Sequence, residues 1–228
     1  MSNWLLIIQN VLLILLIIIL CLLFWVFVLA KIIRKLYKFP IPSFLTPIID
    51  NPIRRRFIQK PETIAERLKL DSGMIAVEIG PGKGNYTKVV ADKILPNGKV
   101  YAIDIQEAII NKLKERVKKE NISNIIPMVD DAYNLSLEDE SVDRIFAIAC
   151  LPEIPEPVRA LKEFKRILKQ DGIISFCELF LDPDYPLRRT EKKWAKKAGL
   201  EFIEGFGNWF VYQLNFGKPF DLSNNVDK

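Results

Sequence analysis

The first 30 residues carry no charged side chain, and from Val11 to Ala30 the run VLLILLIIILCLLFWVFVLA is aliphatic or aromatic apart from Cys21. A helix apolar on every face has no place on the surface of a soluble domain. At about 1.5 Å per residue such a run matches the roughly 30 Å hydrocarbon thickness of a bilayer. A cleaved secretory signal has a shorter apolar stretch, opened by positive charge and closed by small residues. This one starts neutral and ends at Lys31. An uncleaved membrane span is therefore expected, with Trp4 and Trp25 near its ends as interfacial aromatics. Lys31, Arg34, Lys35 and Lys38 follow at once, so the positive-inside rule puts everything after residue 30 in the cytoplasm.

The charge is concentrated in one place. Residues 31–60 hold eight basic side chains against one acid, Asp50, a balance of +7. The whole chain sums to +5, so residues 61–228 sum to −2. The basic strip suits anionic lipid headgroups, and the body of the protein gives no support to nucleic-acid binding. Cys21, Cys150 and Cys177 have no paired spacing and predict no disulfide framework. The chain has no histidine, which removes the commonest general base, the usual catalytic triad and most zinc or iron sites; no metal is expected.

Three segments follow. Residues 1–38 read as the anchor with its basic flank. Residues 39–60 contain FPIPSFLTPIIDNPIRRRF, whose four prolines forbid a long helix and whose interleaved apolar residues favour an interfacial linker over a solvated tether. Residues 61–228 read as one catalytic domain. Strands are predicted at Met74–Ile79, Val100–Ile105, Ile125–Val129, Val142–Ala149 and Ile173–Phe180, with helices at Asn85–Ile94, Gln106–Lys119, Glu156–Lys169 and Arg188–Ala198. Alternating strands and helices imply an α/β, doubly wound, mostly parallel sheet. The runs Leu200–Gly205 and Trp209–Phe216 around Gly207-Asn208 predict an antiparallel hairpin closing one edge, for seven strands in all.

The stretch AVEIGPGKGNYT, Ala76–Thr87, places glycines at 80, 82 and 84 behind Glu78. The dinucleotide fingerprint needs its third glycine one place later, and no Gly-Lys-Ser/Thr completes a P-loop. Asp104 ends the second strand 24 residues after Gly80, where an acid can accept from both ribose hydroxyls of a nucleoside; it can equally cap the following helix. Glu153, Glu178, Asp182 and Tyr185 fall at the carboxyl ends of strands four and five, as candidate proton acceptors. Each also has a bland role open to it: Glu153 as a helix cap, Asp182-Pro183-Asp184 as a turn. Cys150 and Cys177 read as small buried hydrophobes, and Tyr86 and Phe57 as either site lining or core.

The spacing Glu78-x-Gly80-x-Gly82-x-Gly84 resembles the first motif of class I S-adenosylmethionine-dependent methyltransferases. MVDDAYNLSLEDESVD is similar to that family's Gly-Asp-Ala segment, with Asp130 in place of the glycine, and the stretch from SVDRIFAIAC to ELFLDPDYP is similar to strands four and five of the small-molecule branch (methyltransferase type 11) that includes the quinone C-methyltransferases. The resemblance covers about Pro61 to Pro219. It implies a Rossmann-like fold and S-adenosyl-L-methionine as cofactor, held by Glu78, Gly80, Gly82, Gly84, Asp104, Ile105, Asp131, Ala132 and Ala149, with Asp131 accepting from the adenine amino group. Glu153, Glu178 and Tyr185 are the candidate catalytic residues. Pro152 stands where many relatives have a histidine, so any histidine-dependent variant of the chemistry is not expected. Tethering the enzyme gains most if the acceptor is dissolved in the bilayer. The expected partners are membrane lipids, through the helix and basic flank, and a lipid or isoprenoid-quinone acceptor passing Pro40–Phe57. Methylation of a membrane protein, a non-catalytic adaptor and a nicotinamide-dependent reductase are the rival readings.

Overall fold

The computed structural model describes residues 3–36 and 51–220. The chain divides into two compact units, Met1–Lys38 and Phe39–Lys228. The first is one helix, α1 (Asn3–Leu36), long and apolar enough to cross a membrane, with a mean hydropathy of 3.6 in its most apolar window. Its aliphatic side chains stay largely exposed. Of the proline-rich linker, residues 39–50, including Pro40, lie outside the described residues. Residues 51–60 belong to the second unit.

The second unit opens with a π-helical turn, Arg54–Ile58, and then α2 (Pro61–Arg67), which starts on proline where no amide partner is needed. The alternating elements are β1 (Ile75–Ile79), α3 (Asn85–Lys93), β2 (Lys99–Asp104), α4 (Glu107–Lys119), β3 (Ile125–Val129), β4 (Val142–Ile148), α5 (Pro157–Ile167), β5 (Leu168–Leu179), α6 (Arg188–Lys197), β6 (Glu201–Gly207) and β7 (Val211–Gly217). They build a seven-stranded sheet in the order β3-β2-β1-β4-β5-β7-β6. Pairs among β1 to β5 are parallel, while β7 runs antiparallel to both β5 and β6. This is the mixed, Rossmann-like sheet that the sequence predicts.

Hydrophobic burial on both faces holds the sheet. Ala76 and Val77 of β1 are fully buried on opposite faces. One core sets Val77, Ile145, Phe176 and Leu214 against α5 and α6; the other sets Ala76, Val100 and Phe146 against α2, α3 and α4. In α5 the buried residues Pro157, Ala160, Leu161, Phe164 and Ile167 recur at helical spacing and face the sheet.

Two of the boundary differences have a local physical cause. The helix predicted to Lys169 stops at Ile167, because Leu168 turns extended and pairs with Val142; the register then shifts before Arg144 meets Ile173. The irregular stretch of β5 between these pairs folds over Leu168 so tightly that a Cβ on Gly172 would sit 2.6 Å from the leucine side chain. Trp209, expected in the last strand, lies instead in the hairpin turn. Asn208 accepts there from the amides of Phe210 (2.9 Å) and Val211 (3.2 Å), which uses its side chain as a turn former.

Candidate functional site

After β1 the chain turns to β2 and β3 on one side, and β4 and β5 lie on the other, so the strand order switches between β1 and β4. In such sheets the crevice beyond the carboxyl ends of these strands receives ligands. A cleft of about 1250 Å³, measured out to its open mouth, lies there, bounded by the ends of β1 through β4.

The loop after β1 is shaped by three left-handed glycines, with φ of +71° at Gly80, +54° at Gly82 and +76° at Gly84. Side chains rarely adopt these angles, which accounts for the alternating spacing. Gly80 has a second reason to be bare: a Cβ there would lie 2.5 Å from Cys150 Sγ. Gly80 and Gly82 line the cleft, whereas Gly84 sits at the N-cap of α3, where a Cβ would meet Leu113 of α4 at 2.4 Å. Gly84 thus serves helix packing rather than the cleft wall. Arg116 of α4 fastens the tail of the loop, donating to Lys83 O (2.6 Å) and Asn85 Oδ1 (2.9 Å). Glu78 is buried beneath the loop and accepts a bond from the Thr87 hydroxyl in the first turn of α3.

Asp104 stands at the end of β2, one oxygen accepting from Gln106 N at 2.8 Å. Burial raises its carboxyl to about 6, and that backbone bond opposes the rise in part. Asp104 thus braces the turn into α4, whose N-cap position belongs to Gln106, and lines the cleft beside Ile105. Beyond β3, Asp130 accepts from the amides of Asp131 (2.9 Å) and Ser136 (2.7 Å), one on each oxygen. Asp131 uses Oδ1 for Tyr133 N at 2.9 Å. Asp130 is thus committed to the turn by both oxygens, and both acids line the cleft with Ala132. From β4 come Ala149, held at φ +52° with its amide on Cys177 O at 2.9 Å, and Cys150. A non-glycine residue in that conformation is strained, and such strain concentrates at ligand sites.

Glu153 closes a 3₁₀ turn and faces the cleft; the cap position of α5 belongs to Glu156, so the capping role open to Glu153 is not the one it takes. Glu178 and Tyr185 lie elsewhere. Glu178 is buried under the β5–α6 connection against Glu191 of α6, and burial raises both carboxyls, Glu191 to about 8. Tyr185 packs edge-on against Phe180 and Tyr212 and donates to Trp209 O. Neither lines the cleft among the described residues, because their side chains are spent beneath its rim. Burial pushes up both thiols, Cys177 to about 12, which disfavours nucleophilic use.

Two residues escaped the sequence reading. Arg54, in the turn that follows the linker, is buried and lines the cleft. Its guanidinium binds Asp182 in a fork, at 3.2 and 3.1 Å, and donates from Nε to Gln59 Oε1 at 2.5 Å. Gln59 in turn reaches Cys177 Sγ of β5 at 3.2 Å, and Tyr86 of α3 donates to Gln59 O at 3.1 Å. Residues 54–59 thus form a strap pinned to β5, α3 and the β5–α6 connection. The only signal in the sequence is the cluster Arg54-Arg55-Arg56, which reads as lipid-facing charge; the burial of one arginine among the three is invisible without the partner at 182.

The lining decides what ligand fits. It holds six acids, Glu78, Asp104, Asp130, Asp131, Glu153 and Asp182, against one base, Arg54, which is already paired. A pyrophosphate would be repelled, whereas a sulfonium with an ammonium group, ribose hydroxyls and an adenine amine brings positive charge and donors to this carboxylate set. The residues present fit S-adenosylmethionine.

Comparison with known proteins agrees. A family model described as a methyltransferase domain matches residues 77–176. A demethylmenaquinone methyltransferase of Lactobacillus johnsonii is 27% identical over 179 residues, 78% of this chain and 64% of that protein. The catalytic subunit of a tRNA (adenine(58)-N(1))-methyltransferase of Yarrowia lipolytica is 25% identical over 138 residues, 60% of this chain and 35% of that protein. The chain therefore spans less than two thirds of the length of these curated relatives. A SAM-dependent methyltransferase structure from Aquifex aeolicus superposes with a TM-score of 0.72 at 23% identity, covering 78% of this chain and 98% of that one. Motif order, sheet order, acidic cleft and family match converge: residues 77–176 form a methyltransferase domain, in a chain similar to the class I S-adenosylmethionine-dependent methyltransferases.

Proposed function

We propose that this chain is a membrane-anchored enzyme that transfers a methyl group from S-adenosylmethionine to a hydrophobic small molecule of the bilayer, a lipid or an isoprenoid quinone. One observation carries the reading: Arg54, from the stretch that follows the apolar helix in sequence, walls the same cleft as the glycine loop. A cleft wall drawn from the membrane-proximal segment ties acceptor access to the anchor. The quinone named in the Lactobacillus relative supports the substrate class. The −2 balance of residues 61–228 and the acidic lining disfavour an RNA acceptor like that of the Yarrowia relative.

When bound, the cofactor supplies a methyl group on an already activated sulfonium. The protein then needs to orient the partners and exclude water rather than provide a strong base. In this reading Asp104 and Asp131, both in the cleft wall, accept from the ribose hydroxyls and the adenine amine respectively. Ile79, Ile103 and Ile148 keep the wall dry, and the Arg54–Asp182 fork closes it on the acceptor side. In this reading Glu153, which lines the cleft, takes a proton from an acceptor that must lose one. Membranes and soluble fraction, each incubated with methyl-labelled cofactor, distinguish the possibilities. Label in a lipid extract is the expected result. Label migrating with polypeptide, or only in water-soluble molecules, removes the reading, and cofactor binding without product indicates an adaptor.

A further inference from the structure

We infer that the catalytic unit itself docks on the bilayer, through an apolar collar at the carboxyl edge of its sheet that places the mouth of the cleft against anionic headgroups. The inference deepens the membrane-anchored reading above and rests on it.

Four large apolar side chains from three separate segments stand in solvent on this edge: Ile53 (69% exposed) and Phe57 (69%) from the strap, Leu181 (51%) beyond β5, and Trp209 (69%) in the β6–β7 turn. Contacts beneath them join the segments. The Arg54–Asp182 fork links the residues next to Ile53 and Leu181. The Phe180 ring lies 5.3 Å from that of Trp209, and Phe180 N donates to Phe210 O at 2.7 Å. The edge is therefore braced by a buried ion pair and an aromatic cluster, which hold the exposed tips in place. Apolar groups gathered from three loops around one cleft mouth mark an interaction surface rather than scattered surface residues.

Charge and chain length identify what covers it. Arg56 is exposed within the collar, its guanidinium 5.9 Å from the Phe57 ring, so the apolar tips alternate with cationic groups as in an interfacial segment. The opposite edge of the sheet is covered by ion pairs instead: Lys169–Asp143 at 2.7 Å, Lys218–Glu140 at 2.7 Å and Arg166–Asp139 at 2.5 Å. Only 14 residues separate Leu36, the end of the apolar helix, from Asn51, a reach of at most about 50 Å even when extended. A bilayer is the partner that offers apolar depth, anionic headgroups and this enforced proximity together.

The test uses the full chain with Cys21→Ser, reconstituted in vesicles of phosphatidylcholine and phosphatidylglycerol. A polarity-sensitive fluorophore is placed through Phe57→Cys or Leu181→Cys, and through Glu138→Cys on the charged edge as control. The expected result is blue-shifted emission at 57 and 181, quenched several-fold more than at 138 by nitroxide lipids, and weakened when phosphatidylglycerol is omitted. Water-like, unquenched emission at all three positions in chains that remain vesicle-bound overturns the collar and leaves the anchor standing. Chains that fail to incorporate overturn both. A label shielded from water yet indifferent to nitroxide lipids signals a second copy or a protein partner and also overturns the inference. Docking with no methylated lipid product removes the proposed substrate while the collar survives.

Discussion

On the proposed reading, Asp104 couples cofactor affinity to pH through its surroundings. Burial raises its carboxyl to about 6, so in the folded domain it loses its charge as the pH falls through that value. Ribose hydroxyls donate best to the ionised form, so affinity for S-adenosylhomocysteine should be full above that value and decline below it, by up to about tenfold per pH unit. Calorimetric titration across the range checks the sign. Asp104→Asn should lower affinity by about 1.5–3 kcal/mol, the usual worth of hydrogen bonds to a charged group, and flatten the profile. It should leave thermal stability unchanged or higher, since a desolvated acid is removed. Gly80 gives a steric counterpart. Gly80→Ala combines a left-handed φ with a Cβ 2.5 Å from Cys150 Sγ, and should cost about 1–3 kcal/mol in denaturant unfolding. Adding Cys150→Ala should recover the steric share and leave the backbone share, a separation a double-mutant cycle measures. At this scale the sequence discloses which residues sit near the ligand more readily than what each does. Asp104, Asp131 and Glu153 are identified by type and by position after a strand, but Glu178, read by the same rule, turns under the rim to face Glu191. Alternation along β5 gives the direction of a side chain only if the strand end is flat, and here it meets a covering loop.

Between elements, two buried charge arrangements tie the mobile-looking parts of the sequence to the sheet. The fork from Arg54 to Asp182 is largely desolvated, and removing one member takes the counter-ion from the other, at a cost of about 3–5 kcal/mol. Asp182→Ala should therefore release the strap, seen as faster tryptic cleavage after Arg55 or Arg56 and a higher KM for the acceptor at little change in cofactor affinity. The pair Glu178–Glu191, joining β5 to α6, acts with the opposite sign. Both carboxyls are raised by burial, so their contribution to stability is complete at pH values below the ordinary carboxylate range and is lost as pH rises through about 8. Melting temperature should fall between the ordinary carboxylate range and about 8 and level off above it, and Glu191→Gln should flatten the dependence while raising stability at the alkaline end. Neither arrangement is legible beforehand, since each couples residues far apart in sequence through burial. The strands and helices are legible, because hydrophobic period and turn residues specify them locally; α5 reads two residues long because Leu168 is claimed by a strand partner, Val142, rather than by its own helix.

For the molecule as a whole, the legible features were the apolar helix, the basic strip and the mixed sheet, each written in composition or period. What composition conceals is that the strip is divided: Arg54 turns inward to the cleft while Arg56 stays in solvent. This division has a practical corollary for anyone seeking a water-soluble version. Trimming back to Pro61, where the first α-helix of this unit begins, would remove Arg54 and Gln59, take the guanidinium from Asp182 and strip one side of the cleft wall, so a truncated chain should bind its nucleoside normally and yet be inert toward every acceptor offered. Solubility would be gained by deleting part of the catalyst, and the boundary that preserves it lies at or before Asn51, whose side chain holds the first turn of the strap through Arg54 N at 2.9 Å.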